Sequence, residues 1–275
     1  MKIGLIVNFE KSNSKDIAKD IIGILDSDEI KFLTDKETSS FIENTEVSED
    51  IFKDSDILIT IGGDGTIIHN AKKAALYNKA VLGVNSGRIG YLAGLDYKDL
   101  KEITALIHKN YIIEERIMLD VIYESEGKSK KYIAFNDAVI SKGNLSRMID
   151  IDLGIENNNI KYRADGLIFA TPTGSTAYSM SAGGPMVHPL VENIVITPIC
   201  PYSYFTKSIV IPANTEAIIS VDANMNKEAY LTIDGEIAIK INNDDKVHIK
   251  QSSTKVKLIN IKSDSIYNYL ERKNK

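Results

Sequence analysis

Apolar residues in the first hundred positions fall in short unbroken blocks, separated by stretches in which they recur every third or fourth position. Residues 2–8, 30–33, 57–61 and 80–84 are such blocks and predict strands buried on both faces. Between them Ile17, Ile21, Ile22 and Leu25, and then Ile67, Ile68, Ala71, Ala74 and Ala75, each mark one buried face of a helix. The acidic, Ser/Thr-rich stretch 34–50 has no clear period and predicts a loop with a short helix, while 96–108 carries one more helical pattern. Strands alternating with helices at this interval predict a parallel sheet with helices on both faces. In such sheets ligands sit at the carboxyl ends of the strands.

From Arg116 onward the period changes to two. Residues 148–155 are apolar on one face and acidic or small on the other, and turns at 126–128 and 156–159 separate runs of this kind. Further strands are expected at 166–170, 193–197, 209–211, 217–221, 230–233, 237–241, 247–250 and 256–259, with one more over 132–140 that is interrupted by Asn136 and Asp137. A mostly antiparallel, all-β second domain follows from this pattern. Residues 265–272 carry Ile266, Tyr269 and Leu270 on one face and predict a helix docked on the first domain. The expected division is an α/β domain over 1–108, completed by 262–275, and a β-rich domain over 109–261.

Composition changes this picture little. With 275 residues, 43% hydrophobic and 26% charged, the chain can bury two cores. No apolar stretch is long enough to span a bilayer, and the N-terminus reads straight into a strand without a cleavage pattern, so a cytoplasmic protein without a membrane partner is expected. The single cysteine, Cys200, reads as a packing residue. A formal charge of −5 argues against a nucleic-acid groove. Attraction for a polyanionic ligand would have to be local, from glycine-loop amides, a divalent cation and a few placed arginines.

Three stretches carry candidate chemistry. The block 57–61 ends in Gly62-Gly63-Asp64-Gly65-Thr66, where glycine tolerates φ > 0 and lets a ligand approach the backbone. Thr66 is expected to cap the helix that follows, so the turn reads as a phosphate loop with a built-in base, Asp64. It is neither a Walker loop nor a Gly-x-Gly-x-x-Gly turn. The second stretch, Thr171-Pro172-Thr173-Gly174-Ser175-Thr176-Ala177-Tyr178-Ser179, is expected to bring hydroxyls and amides to a helix start that continues into Ser181. That suits a ribose or phosphate, and Tyr178 offers a flat face to a base. The third is Asn136-Asp137, an amide beside a carboxylate that could read adenine edges and ribose hydroxyls. Asp234-Gly235-Glu236 marks a hairpin turn.

Together these motifs resemble the NAD kinases, enzymes that phosphorylate the 2′-hydroxyl of NAD's adenosine ribose. The resemblance covers nearly the whole chain in order. Besides the three stretches it includes Asn85-Ser86-Gly87-Arg88-Ile89-Gly90-Tyr91-Leu92, Arg163-Ala164-Asp165-Gly166-Leu167, Gly183-Gly184-Pro185-Met186-Val187-His188-Pro189 and Asp234-Gly235. The Gly-Gly-Asp-Gly turn alone is shared with diacylglycerol and sphingosine-type lipid kinases and with phosphofructokinases, whereas the 171–179 run is far more specific. The resemblance implies transfer of the γ-phosphate of ATP, carried with Mg²⁺ or another divalent cation, to NAD. Asp64 would be the base, and Gly62, Gly63 and Thr66 would meet the donor's phosphates. Asp64, Gly65, Asn136, Asp137, Thr176, Ala177, Tyr178, Ser179, Met180 and Ser181 would hold the dinucleotide.

His69, Arg147, Arg163, Asp165 and Glu236 match further contact positions, with Arg147 and Arg163 meeting phosphates or a second subunit's share of the site. A homodimer or homotetramer is implied, and no metal is assigned to protein side chains. The chain departs from the family in two places. Its Asp234-Gly235-Glu236 stands where Asp-Gly-Gln is usual, and no Arg-Pro occurs around 204–208, which leaves the role of Lys207 open. Two alternatives stay in view. A lipid kinase would need an apolar acceptor pocket, and a non-catalytic NAD sensor would bind without turnover.

Overall fold

The computed structural model describes residues 1–261 apart from 12, 28, 88–89, 146, 203–205 and 223–227. The helix expected over 265–272, the completion of the first domain by 262–275, and Arg88, Ile89, Tyr204 and Phe205 lie outside the described residues. Two compact units divide the chain: Met1–Arg116 with the residues from Lys255 onward, and Ile117–Thr254.

The first unit contains β1 (Lys2–Val7), α1 (Ser14–Leu25), β2 (Lys31–Thr34), α2 (Lys36–Ser39), β3 (Glu46–Val47), α3 (Ile51–Asp54), β4 (Ile57–Gly62), α4 (Asp64–Leu76), β5 (Ala80–Asn85), β6 (Leu95–Asp96) and a 3₁₀ segment, Tyr97–Leu106. Its strands pair in parallel in the order β3-β2-β1-β4-β5, and Lys257 and Leu258 of the chain's last strand add beside Ala80 and Val81. All six residues of β4 are buried, as the unbroken apolar block requires of a central strand. One face packs Ile3, Leu5, Ile59, Ile61 and Leu82 against Ile17, Ile21 and Leu25 of α1. On the other face glycines admit the helices: Gly4 lies against Ile51 and Ser55, and Gly83 against Ile67 of α4. The sheet therefore fixes α4, and with it the turn between β4 and α4.

In the second unit the chain runs through β7 (Ile112–Ser125), which begins in the first unit, then β8 (Lys128–Ala134), β9 (Asp137–Lys142), β10 (Ile149–Ile155), β11 (Asn158–Ala164), β12 (Gly166–Ala170), α5 (Tyr178–Ser181), β13 (Asn193–Ile199), β14 (Ile209–Pro212), β15 (Ala217–Asp222), β16 (Ala229–Ile233), β17 (Ile237–Ile241) and β18 (Lys246–Asn260). One sheet is wholly antiparallel, in the order β14-β13-β12-β9-β16-β17. A second set of antiparallel pairs joins β11, β10, β15 and β18, with the hairpin β7–β8. Inward residues of both, among them Leu153, Tyr162, Phe169, Ile196 and Leu231, share one core.

Three expectations are corrected here. The segment 132–140 is two strands, because the backbone between Ala134 and Asp137 turns away and bonds elsewhere. Residues 247–250 and 256–259 belong to one strand of 15 residues, since Ser252 is small enough to be buried in mid-strand. Cys200 is exposed, at the end of β13 with φ 43°, and is not a packing residue. No helix among the described residues is long and apolar enough to cross a membrane.

A methyl group on Gly83 would lie 2.6 Å from Ile67 Cδ1 and 3.2 Å from Ala93 Cα. Forcing such a contact typically costs about 1–3 kcal/mol. Gly83→Ala should therefore lower the urea midpoint of unfolding by a corresponding amount, and an unchanged midpoint would contradict this packing of α4 on β5.

Candidate functional site

The carboxyl end of β4 passes into α4 with no spare residue. Gly63 is the cap and supplies no side chain, so the first-turn amides of this 13-residue helix are left to solvent or to an anion. Asp64 is the first helical residue, and its two oxygens accept the backbone N–H groups of Tyr91 (2.8 Å, to Oδ2) and Leu92 (3.2 Å, to Oδ1). Gly90 permits this approach, because a Cβ there would stand 2.2 Å from Asp64 Oδ1. Each oxygen retains lone-pair capacity for a further hydrogen bond, so the carboxylate is oriented yet still able to take a proton.

The glycines act differently from the expectation. None of Gly62, Gly63 and Gly65 has positive φ. Gly62 is needed because the Thr66 side chain folds back on it, within 2.8 Å of where a Cβ would be. The space above Gly63 and Gly65 is open, which exposes the backbone itself. Thr66 is not the cap either: its Oγ1 accepts from Asn8 Nδ2 at 2.9 Å. That bond leaves the hydroxyl hydrogen of Thr66 to be donated to an oxyanion. Asn8 was not legible as a site residue, and its only signal is a polar amide ending an otherwise apolar block.

In the second unit a different turn is assembled from three distant segments. Asp234, at the β16–β17 hairpin, accepts the backbone N–H groups of Phe135 (2.9 Å), Asn136 (2.7 Å) and Asp137 (3.1 Å). From the other side Thr171 donates its N–H to the Asn136 carbonyl at 2.9 Å and its hydroxyl to the Phe135 carbonyl at 2.6 Å. A Cβ on Gly174 would fall 2.0 Å from the Asn136 carbonyl oxygen, so only glycine lets the two turns touch. Asp137 is buried, and burial first, then the Asp234 carboxylate, raises its own carboxyl to about 7.

The hydroxyl-rich stretch is not one helix start but a 3₁₀ turn, Gly174–Thr176, followed by the four residues of α5. Most of its hydroxyls are used internally. Ser175 donates to the Pro172 carbonyl, Thr176 donates to the Thr173 carbonyl, and Ser179 is buried against the hydroxyl of Thr197. What the stretch presents outward is Tyr178, Met180 and Ser181, which are exposed, with Thr176 and Ala177 half-buried.

The other candidates are placed as follows. His69 is exposed on α4, Glu236 is exposed beside Asp234, and Arg147 and Arg163 are exposed. Asp165 pairs with Lys142 at 2.8 Å. Strand register puts Gly166 beside Ser141 and Ala170 beside Asp137. Asp165 therefore lies at the opposite end of β12 from the 135–137 turn, roughly 16 Å away at strand spacing. Among the described residues no three His, Cys, Asp or Glu side chains form a group that could hold a metal ion.

Residues 3–111 match the ATP-NAD kinase N-terminal domain and residues 135–261 the ATP-NAD kinase C-terminal domain. The NAD kinase of Caldanaerobacter subterraneus subsp. tengcongensis is 36% identical over 278 residues, covering 99% of this chain and 98% of its own. That of Caldicellulosiruptor bescii is 37% identical over 275 residues, covering 99% of both. Yeast NADH kinase, solved with NADH, has the same fold (TM-score 0.86, 24% identity, 100% of this chain and 86% of that one). So does an NAD kinase from Archaeoglobus fulgidus solved with ATP (TM-score 0.73, 22% identity, 99% and 98%). With both domains matched in order and such relatives aligned end to end, this chain belongs to the NAD kinase family.

Proposed function

We propose that the chain transfers the γ-phosphate of ATP to the 2′-hydroxyl of the adenosine ribose of NAD, with Asp64 as the base. The observation that carries this reading is the Asp64 carboxylate itself, at a strand's carboxyl end, with its oxygens oriented by the Tyr91 and Leu92 amides. Phosphoryl transfer asks a protein mainly for positioning and charge stabilisation. The 2′-oxygen bonds to the γ-phosphorus as its proton passes to Asp64, and the bond from that phosphorus to the β-phosphate oxygen breaks, releasing ADP and NADP. The open amides at Gly63 and Gly65 and the Thr66 hydroxyl receive donor phosphates.

Mg²⁺, or another divalent cation, arrives on the phosphates of ATP as part of the substrate, and no step is assigned to a metal held by the protein. Asn136 and Asp137 hold the dinucleotide together with Thr176, Ala177, Tyr178, Met180 and Ser181. Ser179 contributes by fastening the turn to Thr197. The enzyme acts in the cytoplasm as a homodimer or homotetramer, in which Arg147, Arg163 and Asp165 serve a second copy's dinucleotide. The separation of roughly 16 Å between Asp165 and the 135–137 turn within one chain supports that division for Asp165. Family membership leaves the lipid-kinase alternative without an observation in its favour.

General-base help is typically worth about 10² to 10⁴ in rate. Asp64→Asn should therefore lose at least about a hundredfold in kcat, while NAD binding measured by calorimetry changes by no more than a few-fold. Near-normal turnover in this variant would remove Asp64 from the role. Asp137 gives a second test. With its carboxyl raised to about 7, it is mostly protonated at pH 6 and mostly ionised at pH 8. If the ionised form accepts from the ligand, the Kd for NAD, measured without ATP, should tighten by about tenfold over that interval, in proportion to the competent fraction. Asp137→Asn should flatten the profile, and a wild-type Kd independent of pH would contradict the assignment.

A further inference from the structure

Phe135 and Asn136 separate β8 from β9, and their N–H groups, with that of Asp137 at the start of β9, bond to a side chain. Buried N–H groups without partners are costly, so such a break persists only where something takes them up. Here a single side chain takes up all three. Asp234 Oδ1 lies 2.7 Å from the Asn136 nitrogen, 3.1 Å from that of Asp137 and 3.2 Å from that of Phe135, and its Oδ2 lies 2.9 Å from the Phe135 nitrogen. The backbone reciprocates, with the Asp234 N–H donating to the Asp137 carbonyl at 2.9 Å. To reach that position Asp234 adopts φ 48° and Gly235 φ 69°, left-handed conformations that are unfavourable for a non-glycine residue.

This arrangement also carries an electrostatic cost. The Asp234 carboxylate helps raise the carboxyl of the buried Asp137, so one charge is tolerated beside another acid. A neutral asparagine would avoid the repulsion, but it offers only one acceptor oxygen, and its amide would set a donor against the Phe135 N–H. The opposite side of the turn is fixed by Thr171 and by the close contact of Gly174. The peptide groups of 135–137 are thus held on both sides by the chain's own groups.

We infer that Asp234 is a positioning residue for NAD recognition, which holds the Asn136–Asp137 turn in its binding geometry before the dinucleotide arrives. The inference rests on the proposal that Asn136 and Asp137 contact NAD. Loss of Asp234 should weaken NAD binding and leave the phosphoryl step, built on Asp64 in the other unit, untouched.

The test compares Asp234→Asn with Asn136→Ala, using calorimetric titration of NAD, initial-rate kinetics and amide hydrogen exchange. The expected result for Asp234→Asn is a Kd for NAD weaker by about tenfold, kcat and the KM for ATP within twofold of wild type, and faster exchange confined to the amides of 135–137. A lower melting temperature with unchanged NAD affinity would make Asp234 merely structural and overturn the inference. If Asp234→Asn binds NAD normally while Asn136→Ala does not, positioning fails and the contact reading survives. If Asn136→Ala binds NAD as wild type does, the contact reading fails and the inference with it. Should Asp234→Asn not fold, exchange in the wild-type protein decides. Slow exchange at 135–137 before NAD is added supports a pre-set turn, and exchange that slows only on addition of NAD overturns it.

Discussion

Where a chain leaves its sheet, its peptide groups lose their sheet partners and must find others. In this chain carboxylates take that role at both places where candidate chemistry sits. Asp64 receives the amides of Tyr91 and Leu92, and Asp234 receives those of Phe135, Asn136 and Asp137. The same bonds that satisfy the backbone orient the functional groups. Under the proposed function these bonds orient Asp64 as the base and fix the Asn136–Asp137 turn that meets the dinucleotide.

Close approach of main chain is the second constraint, and glycine meets it by lacking a Cβ rather than by adopting unusual angles. Gly62 makes room for Thr66, Gly90 for the Asp64 carboxylate, Gly83 for Ile67 and Gly174 for the Asn136 carbonyl. The sequence motif around Asp64 is recognisable for this reason. Its Gly62 is constrained by the Thr66 side chain less than 3 Å from a would-be Cβ, and Gly63 and Gly65 leave the backbone open.

Periodicity made most of the fold legible. The buried block at β4, the helical faces of α1 and α4 and the change to period two near Arg116 all correspond to observed elements, because in each case the burial pattern is written in consecutive residues. The structure departs from the periodic pattern where side-chain bonding to the backbone decides the outcome. The break at 135–136 depends on Asp234, about a hundred positions later, and the broken helix after Pro172 depends on hydroxyls that bond to carbonyls within their own turn. Asp64 could be singled out from its glycines alone. Asn8 could not, since its partner is far away in sequence, and Asp234 stood out only within an Asp-Gly pair, which at a hairpin ordinarily signals only the turn, so its bonds to 135–137 were not legible.

A working kinase for NAD differs from a binding protein that retains the pocket in forming NADP. Purified protein incubated with NAD, ATP and Mg²⁺, with NADP followed by an NADP-specific coupled dehydrogenase and ADP measured in parallel, tests this difference directly. NADP and ADP should form in equal amounts, dependent on the presence of all three components. Saturable binding of NAD with no NADP formed would contradict the proposed function.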